Sequence, residues 1–128
     1  MTMTAADLVT QARSRIRETT AQAFGAQPCA GVLIDVREPF EFEAGHLPGA
    51  INIPRGVLEF QVDGHPVVAN AGSAAASHKA QPVVVYCRTG GRSALAALSL
   101  QQMGYTDVRS IAGGIAGWTA AGLPVTLP

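Results

Sequence analysis

The chain reads as an α/β protein with a mainly parallel sheet and helices on both faces. Three observations predict this. Val83-Val84-Val85-Tyr86 is a short apolar, β-branched run introduced by Pro82, the composition of a strand covered on both sides. It passes through a polar, glycine-containing loop into a helical pattern, in which Ala94, Leu95, Ala97, Leu98, Leu100 and Met103 recur at helical spacing and Gly104 supplies the stop. Strand-like and helix-like stretches also alternate on either side of this unit, from Gly31 and from Asp107, and such alternation builds a parallel sheet.

Length and composition bound the rest. At 128 residues the chain is one domain, long enough to bury a single core. With 48% apolar and 14% charged residues it is a soluble globular sequence rather than a disordered one. The net charge of zero removes the electrostatic case for nucleic acid or an anionic membrane as partner. Lys79 is the only lysine; the other basic residues are arginines. Cys29 and Cys87 form neither a metal-like nor a CxxC spacing, and a disulfide between them would consume the more reactive candidate. The N-terminus lacks a basic region followed by an apolar one, and no apolar run approaches the ~18 residues that span a bilayer. A reducing cytoplasm is the expected compartment.

Taken in order, Thr4-Ala5-Ala6-Asp7 fits a capping box opening a helix. Leu8, Val9, Ala12 and Ile16 share one face of it, with Arg13, Arg15 and Arg17 mostly off that face as solvated charges. Thr19-Thr20 interrupts it, since paired β-branched residues are poor interior helix formers. Cys29 reads as a small residue at the core edge before a strand over residues 31–36. That strand delivers Asp35 and Arg37 to its C-terminal end, where open α/β sheets place their sites. Pro39 suits the first turn of a short helix through Ala44, with Gly45 as its cap. Glu38, Glu41 and Glu43 then form a solvated face. Residues 50–53 make a third strand, followed by Pro54 and a short helix ending near Phe60.

The stretch 61–81 has a turn-like Asp63-Gly64 and a run rich in Ala, Ser and Gly. A connection this long is functional or mobile, and it is expected to border the site, with disordered filler as the other reading. His65 and His78 have no third ligand in view for a metal. Residues 107–111 give the last strand. Gly113-Gly114 lacks the G-x-G-x-x-G context of a dinucleotide site and reads as a tight turn beside the central loop. The helix that follows carries Trp118 as a core anchor.

Chemistry concentrates in Cys87-Arg88-Thr89-Gly90-Gly91-Arg92-Ser93. Cys87 sits where a strand ends and a helix is about to begin. Backbone N–H groups and the positive end of a helix dipole therefore converge on one sulfur, and Arg88 and Arg92 add charge. Those conditions depress a thiol pKa and stabilise a thiolate or a bound anion. This loop resembles the active-site loop of rhodanese-family sulfurtransferases. Asp35-Val36-Arg37-Glu38-Pro39-Phe40-Glu41-Phe42-Glu43-Ala44-Gly45-His46-Leu47-Pro48-Gly49-Ala50 is similar to the family's N-terminal signature, and Gly113-Gly114-Ile115-Ala116-Gly117-Trp118 to its C-terminal one. The three motifs fall in the family's order and cover residues 31–124.

The resemblance implies a rhodanese-like fold with a five-stranded core, in which residues 16–19 form a short edge strand. A second helix would follow from Thr20 to about Phe24, ended by Gly25 and Pro28. Residues 1–15 would be an N-terminal helical extension to a domain over 16–128, packed on that domain or on a partner copy. It also implies that Asp35 helps hold the catalytic loop, that Arg37 pairs with a nearby carboxylate such as Glu41, and that His46 is structural rather than a general base.

Function follows from what the loop can hold. Four residues separate Cys87 from Arg92. Similar cysteine-dependent phosphatases and arsenate reductases carry one more, which widens the cradle to tetrahedral-anion size. The shorter loop suits a single extra sulfur on Cys87. The expected activity is ping-pong sulfur transfer from thiosulfate or a related sulfane donor, through a Cys87 persulfide, to a small or protein thiophile. Arg92 and Arg88 would bind the anionic end of the donor. Thr89, Gly90, Gly91 and Ser93 would line the nest of amides, the glycines permitting its positive φ angles and Ser93 capping the helix through its hydroxyl. No metal or organic cofactor is required, and the protein is expected to be a monomer or homodimer. The alternatives are a sulfur-carrier or interaction module with little turnover, and a small phosphatase or arsenate reductase.

Overall fold

A computed structural model of the chain describes residues 2–27, 31–73 and 76–128, so the readings of Pro28 and Cys29 lie outside the described residues. Five strands form one all-parallel sheet: β1 (Arg17–Thr19), β2 (Val32–Asp35), β3 (Ile51–Asn52), β4 (Val83–Tyr86) and β5 (Val108–Ile111). Their spatial order is β1-β5-β4-β2-β3. The chain leaves β2 toward β3 on one side and β4 toward β5 on the other. The carboxyl ends of β2 and β4 therefore flank the crevice where open parallel sheets bind ligands.

β4 explains why both faces are covered. Val83 and Val85 alternate with Val84 and Tyr86, and all four are buried. The first pair, with Cys87 beyond it, packs with Val32, Ile34, Ala96, Ala97 and Leu100. The second joins Ala21, Phe24, Ile111 and Trp118 on the opposite side. The helix after β4, α6 (Gly91–Gln102), covers the first face, while α2 (Ala21–Ala26) and α7 (Gly114–Ala120) cover the second. Trp118 is 5% exposed, and its indole N–H donates to the Pro124 carbonyl at 2.8 Å, so it anchors this face.

Several boundaries differ from the sequence reading. The first helix, α1 (Ala5–Arg13), opens on the Thr4–Asp7 capping box but stops at Ser14, well before Thr19-Thr20. Ile16 therefore lies beyond it, Leu8 is 46% exposed, and Ala12 is its buried residue. The second helix does start at Thr20, as the resemblance implies, with the Thr20 hydroxyl accepting the Ala23 N–H at 3.0 Å. Gly25 does not terminate α2, which runs through it to Ala26. α1 packs on α6, with Val9 lying against Gly91. α3 (Pro39–Ala44) has the predicted bounds, with Pro39 in its first turn and Gly45 as cap.

The described residues of the stretch 61–81 do not border the crevice. A 3₁₀ turn (Arg55–Val57), α4 (Leu58–Gln61) and α5 (Pro66–Ala69) precede a second turn at His78–Ala80, which leads into the amino end of β4. Val62 and Val68 are fully buried in the core. Asp63 accepts the Tyr105 hydroxyl at 2.5 Å and sits 3.1 Å from His78 Nε2, while the Lys79 ammonium donates to the Met103 carbonyl at the far end of α6. The described part of this segment thus closes the end of the sheet opposite Cys87. No helix of the described residues is long and apolar enough to cross a membrane.

Candidate active site

Strand β4 ends at Tyr86, and Cys87 follows at the crevice with 1% of its surface exposed. The chain then turns sharply. Gly90 takes φ +111°, a left-handed conformation that favours glycine, and becomes the N-cap of α6, whereas Gly91, also expected to need a positive φ, begins the helix without one. This turn aims the Gly90 N–H at the Cys87 sulfur from 3.1 Å and the Ser93 N–H from 3.4 Å, with the Ser93 hydroxyl at 3.6 Å. Burial alone pushes the thiol pKa up. The Ser93 hydroxyl and the amides of Ser93, Gly90 and Thr89 outweigh it and bring the thiol below its ordinary value. Among the described cysteines Cys87 is free of any disulfide.

Ser93 is not the helix cap that the sequence suggests. Gly90 occupies that position, and Ser93 lies in the first turn with its hydroxyl fully buried behind the sulfur. There it reaches the Gly90 carbonyl at 3.3 Å and the Ser110 hydroxyl at 2.8 Å. Ser110 was not singled out from the sequence, although a serine alternating with Val108 on the inward face of β5 was its visible signal.

Arg92 and Glu41 form the second feature. Arg92 donates both terminal nitrogens to the Glu41 carboxylate, at 2.7 and 3.2 Å, a two-pronged pair joining α6 to α3. Glu41 also accepts the Glu38 N–H at 3.1 Å at the start of α3. The Arg92 hydrogen bonds, more than this backbone contact, hold the Glu41 pKa down to about 2. Two expectations are corrected here. Glu41 is part of a bridge rather than of a solvated face, and its partner is Arg92 rather than Arg37.

Arg37 pairs instead with Asp35. Its guanidinium donates to both carboxylate oxygens, at 2.7 to 3.1 Å, and its backbone N–H adds a bond at 2.9 Å. Asp35 is fully buried, and the Arg37 side chain is 8% exposed. Arg37 also donates to the Gly45 carbonyl at 2.7 Å, tying the end of β2 to the end of α3. The Asp35 carboxylate is thus engaged by Arg37, and it also interacts with the hydroxyl of Tyr86, the residue just before Cys87. Asn52, another residue missed in the sequence, donates to the Asp35 and Arg37 carbonyls at 3.0 and 2.9 Å. His46 stacks on the Phe42 ring at 3.8 Å with Nδ1 3.0 Å from the Phe42 carbonyl, a structural arrangement.

The glycine pair supports the loop from outside. The Ile115 and Ala116 N–H groups donate to the carbonyls of Cys87 and Arg88 at 2.9 and 3.0 Å. Gly114 brings α7 close enough that a Cβ there would fall on both carbonyl oxygens. Arg88 and Thr89 are exposed, and among the described residues Arg88 makes no ion pair. Arg88 lines a cavity of about 600 Å³ together with Arg37, Phe40, Ala116, Thr119 and Leu127. Among the described residues no group of three or more His, Cys, Asp or Glu side chains could hold a metal.

The chain is thus an all-parallel α/β protein that presents one amide-cradled thiol at the crevice of its sheet. A family model described as "Rhodanese-like domain" matches residues 14–121, and the chain belongs to that family. It is 34% identical over 97 residues to a protein named "Sulfurtransferase" from Allochromatium vinosum, covering 76% of this chain and 79% of the relative. It is 38% identical over 93 residues to "Thiosulfate sulfurtransferase 16, chloroplastic" from Arabidopsis thaliana, covering 71% and 76%. A solved structure from Rhodopseudomonas palustris, described as a protein of unknown function and "possible tyrosine phosphatase", superposes with a TM-score of 0.78. It is 34% identical, covering 98% of this chain and 96% of the other. Family and relatives together support sulfur transfer as the general class of chemistry.

Proposed function

We propose that the protein moves sulfane sulfur from thiosulfate or a related donor to a thiophilic acceptor through a persulfide on Cys87. The observation that carries this reading is the convergence of two amides and one hydroxyl on a single buried sulfur, within a loop only six residues long from Cys87 to Arg92. Such a cradle stabilises one added sulfur anion, whereas a tetrahedral oxyanion needs more room. The Cys87 thiolate attacks the outer sulfur of thiosulfate. The S–S bond breaks, its electron pair leaves with sulfite, and the sulfur stays on Cys87. A nucleophilic acceptor then takes that sulfur and restores the thiolate.

Arg88, which lines the cavity and makes no ion pair among the described residues, would receive the donor's anionic end, because Glu41 already neutralises much of Arg92. Arg92 acts chiefly as a brace between α6 and α3. The name of the Arabidopsis thaliana relative agrees with thiosulfate as donor. The description of the Rhodopseudomonas palustris protein favours a second reading, phosphatase chemistry on the same thiol. Thiosulfate:cyanide transfer and aryl-phosphate hydrolysis, measured side by side on the wild type and on Cys87→Ser, separate the two. Thiocyanate formation that vanishes in Cys87→Ser, without phosphate release, supports sulfur transfer. Cysteine-dependent phosphate release without thiocyanate overturns it. A persulfide that forms but turns over slowly marks the carrier module.

A further inference from the structure

Two buried hydroxyls lie behind the Cys87 sulfur, and only one of them touches it. Ser93 Oγ is 3.6 Å from the sulfur, 3.3 Å from the Gly90 carbonyl oxygen and 2.8 Å from Ser110 Oγ. Ser110, on β5, is 0% exposed, and Ser93 is the hydrogen-bond partner of its hydroxyl among the described residues. Either oxygen could be the donor in this pair. If Ser93 donated, the Ser110 proton would be buried without an acceptor, at a cost of about 1–3 kcal/mol. If Ser110 donates, every proton in the cluster has a destination.

The direction of that one bond decides what Ser93 can offer the sulfur. Ser93 has one proton and two lone pairs. With one lone pair accepting from Ser110, its proton can go only to the Gly90 carbonyl or to Cys87. In the thiol form, the S–H fills the second lone pair and the Ser93 proton rests on the Gly90 carbonyl. Once the thiol proton has left to solvent, the Ser93 hydroxyl rotates to donate to the thiolate.

We propose that Ser110 is a positioning residue: by donating to Ser93 Oγ it keeps the Ser93 proton free for the anionic sulfur of Cys87. The inference rests on Cys87 being the reactive thiol of the proposed function, and it adds a residue from β5 that neither the loop motif nor the glycine turn contains. The charged groups on the elements packed around the loop and Ser110 are Arg88 in the loop, Arg92 with Glu41 across α6 and α3, the Asp35–Arg37 pair at the end of β2, Arg13 from α1 beside Gly90, and its partner Glu18 on β1, which lies in register with Ser110. Substitution at Ser110 leaves all of them in place.

The test is the pH profile of Cys87 alkylation by iodoacetamide, followed on the Cys87 peptide by mass spectrometry. Ser110→Ala is expected to move the midpoint upward and to slow alkylation roughly three- to tenfold at a pH below it, the effect of half to one pKa unit. Ser93→Ala is expected to move it further. In the Ser93→Ala background Ser110→Ala adds nothing, because the two act in series. Ser110→Thr and Ser110→Val bring the same bulk and differ only in the hydroxyl, so a higher midpoint in the valine variant isolates the donor if the alanine variant folds poorly. Equal midpoints in Thr and Val, or a Ser110→Ala shift that persists without the Ser93 hydroxyl, overturns the proposal. Alkylation reports thiolate whether or not sulfur moves, so this result and the transfer assays can fail independently.

Discussion

Replacing Gly114 by alanine tests how the glycine turn supports the cysteine loop. Gly114 has φ +57°, where an L-residue costs roughly 1–2 kcal/mol. The new Cβ would also land on the Cys87 carbonyl oxygen and 2.5 Å from that of Arg88, closer than real Cβ atoms come to anything. Relief requires α7 to withdraw from the loop, which stretches the bonds from the Ile115 and Ala116 amides, 2.9 and 3.0 Å at present. Each contributes about 0.5–1.5 kcal/mol net, so the total loss is about 2–5 kcal/mol. Gly113→Ala is the internal control. Its φ is +81°, but the nearest atom to an added Cβ is 3.8 Å away, so it should cost only the roughly 1–2 kcal/mol of the backbone conformation. Urea unfolding midpoints at constant slope give both values. The Cys87 alkylation rate reports whether the loop has moved. Equal costs for the two variants, or a full loss of stability in Gly114→Ala with alkylation unchanged, would refute the idea that this contact sets the loop.

Other perturbations probe the remaining parts. Asp35→Ala strands the Arg37 guanidinium in a site where its side chain is 8% exposed, and unfolding should show a loss of roughly 3–5 kcal/mol. Arg88→Ala should raise KM for thiosulfate about tenfold or more, the scale of one charge-assisted contact, with a smaller change in kcat. Arg92→Ala should instead lower stability by releasing Glu41, and a KM effect larger than that of Arg88→Ala would reverse the assignment of the two arginines. Glu41 sits at a pKa of about 2, below its ordinary value, so its stabilising effect is complete above the ordinary carboxylate range and disappears as pH falls toward 2. Glu41→Gln should therefore be less stable at neutral pH and show a flatter acid limb between about pH 5 and 2. An unaltered limb would contradict the Arg92 bridge.

How much the sequence revealed depended on whether the cause was local. The strand at Val83–Tyr86, the Thr4–Asp7 capping box and the Pro39–Ala44 helix follow from neighbours a few residues apart, and all three are present. Cys87 at a strand end before a helix N-terminus was legible for the same reason. Pairings across the fold were not. Glu41 and Arg92 are 51 residues apart, and nothing on a short acidic helix announces that one carboxylate faces inward. The family resemblance matched Arg37 to a carboxylate such as Glu41, but the strand geometry turns it back onto Asp35 two residues earlier. The cap was misplaced onto Ser93 because a hydroxyl near a helix start usually serves there, whereas Gly90 can take a left-handed turn that puts Ser93 one turn inside. The segment 61–81 has a loop-like composition, yet Val62 and Val68, spaced to enter the core, and Asp63, bound to Tyr105, bind it to the opposite end of the sheet.

The central claim is that the Cys87 cradle accepts and holds one sulfur atom. Its most direct measurement is the intact mass of the protein after brief exposure to thiosulfate and removal of the excess, with the modified residue located by peptide fragmentation. The account predicts a gain of one sulfur, confined to Cys87, absent in Cys87→Ser and discharged by cyanide. A protein that stays at its native mass while Cys87 remains reduced and reactive toward iodoacetamide would contradict it.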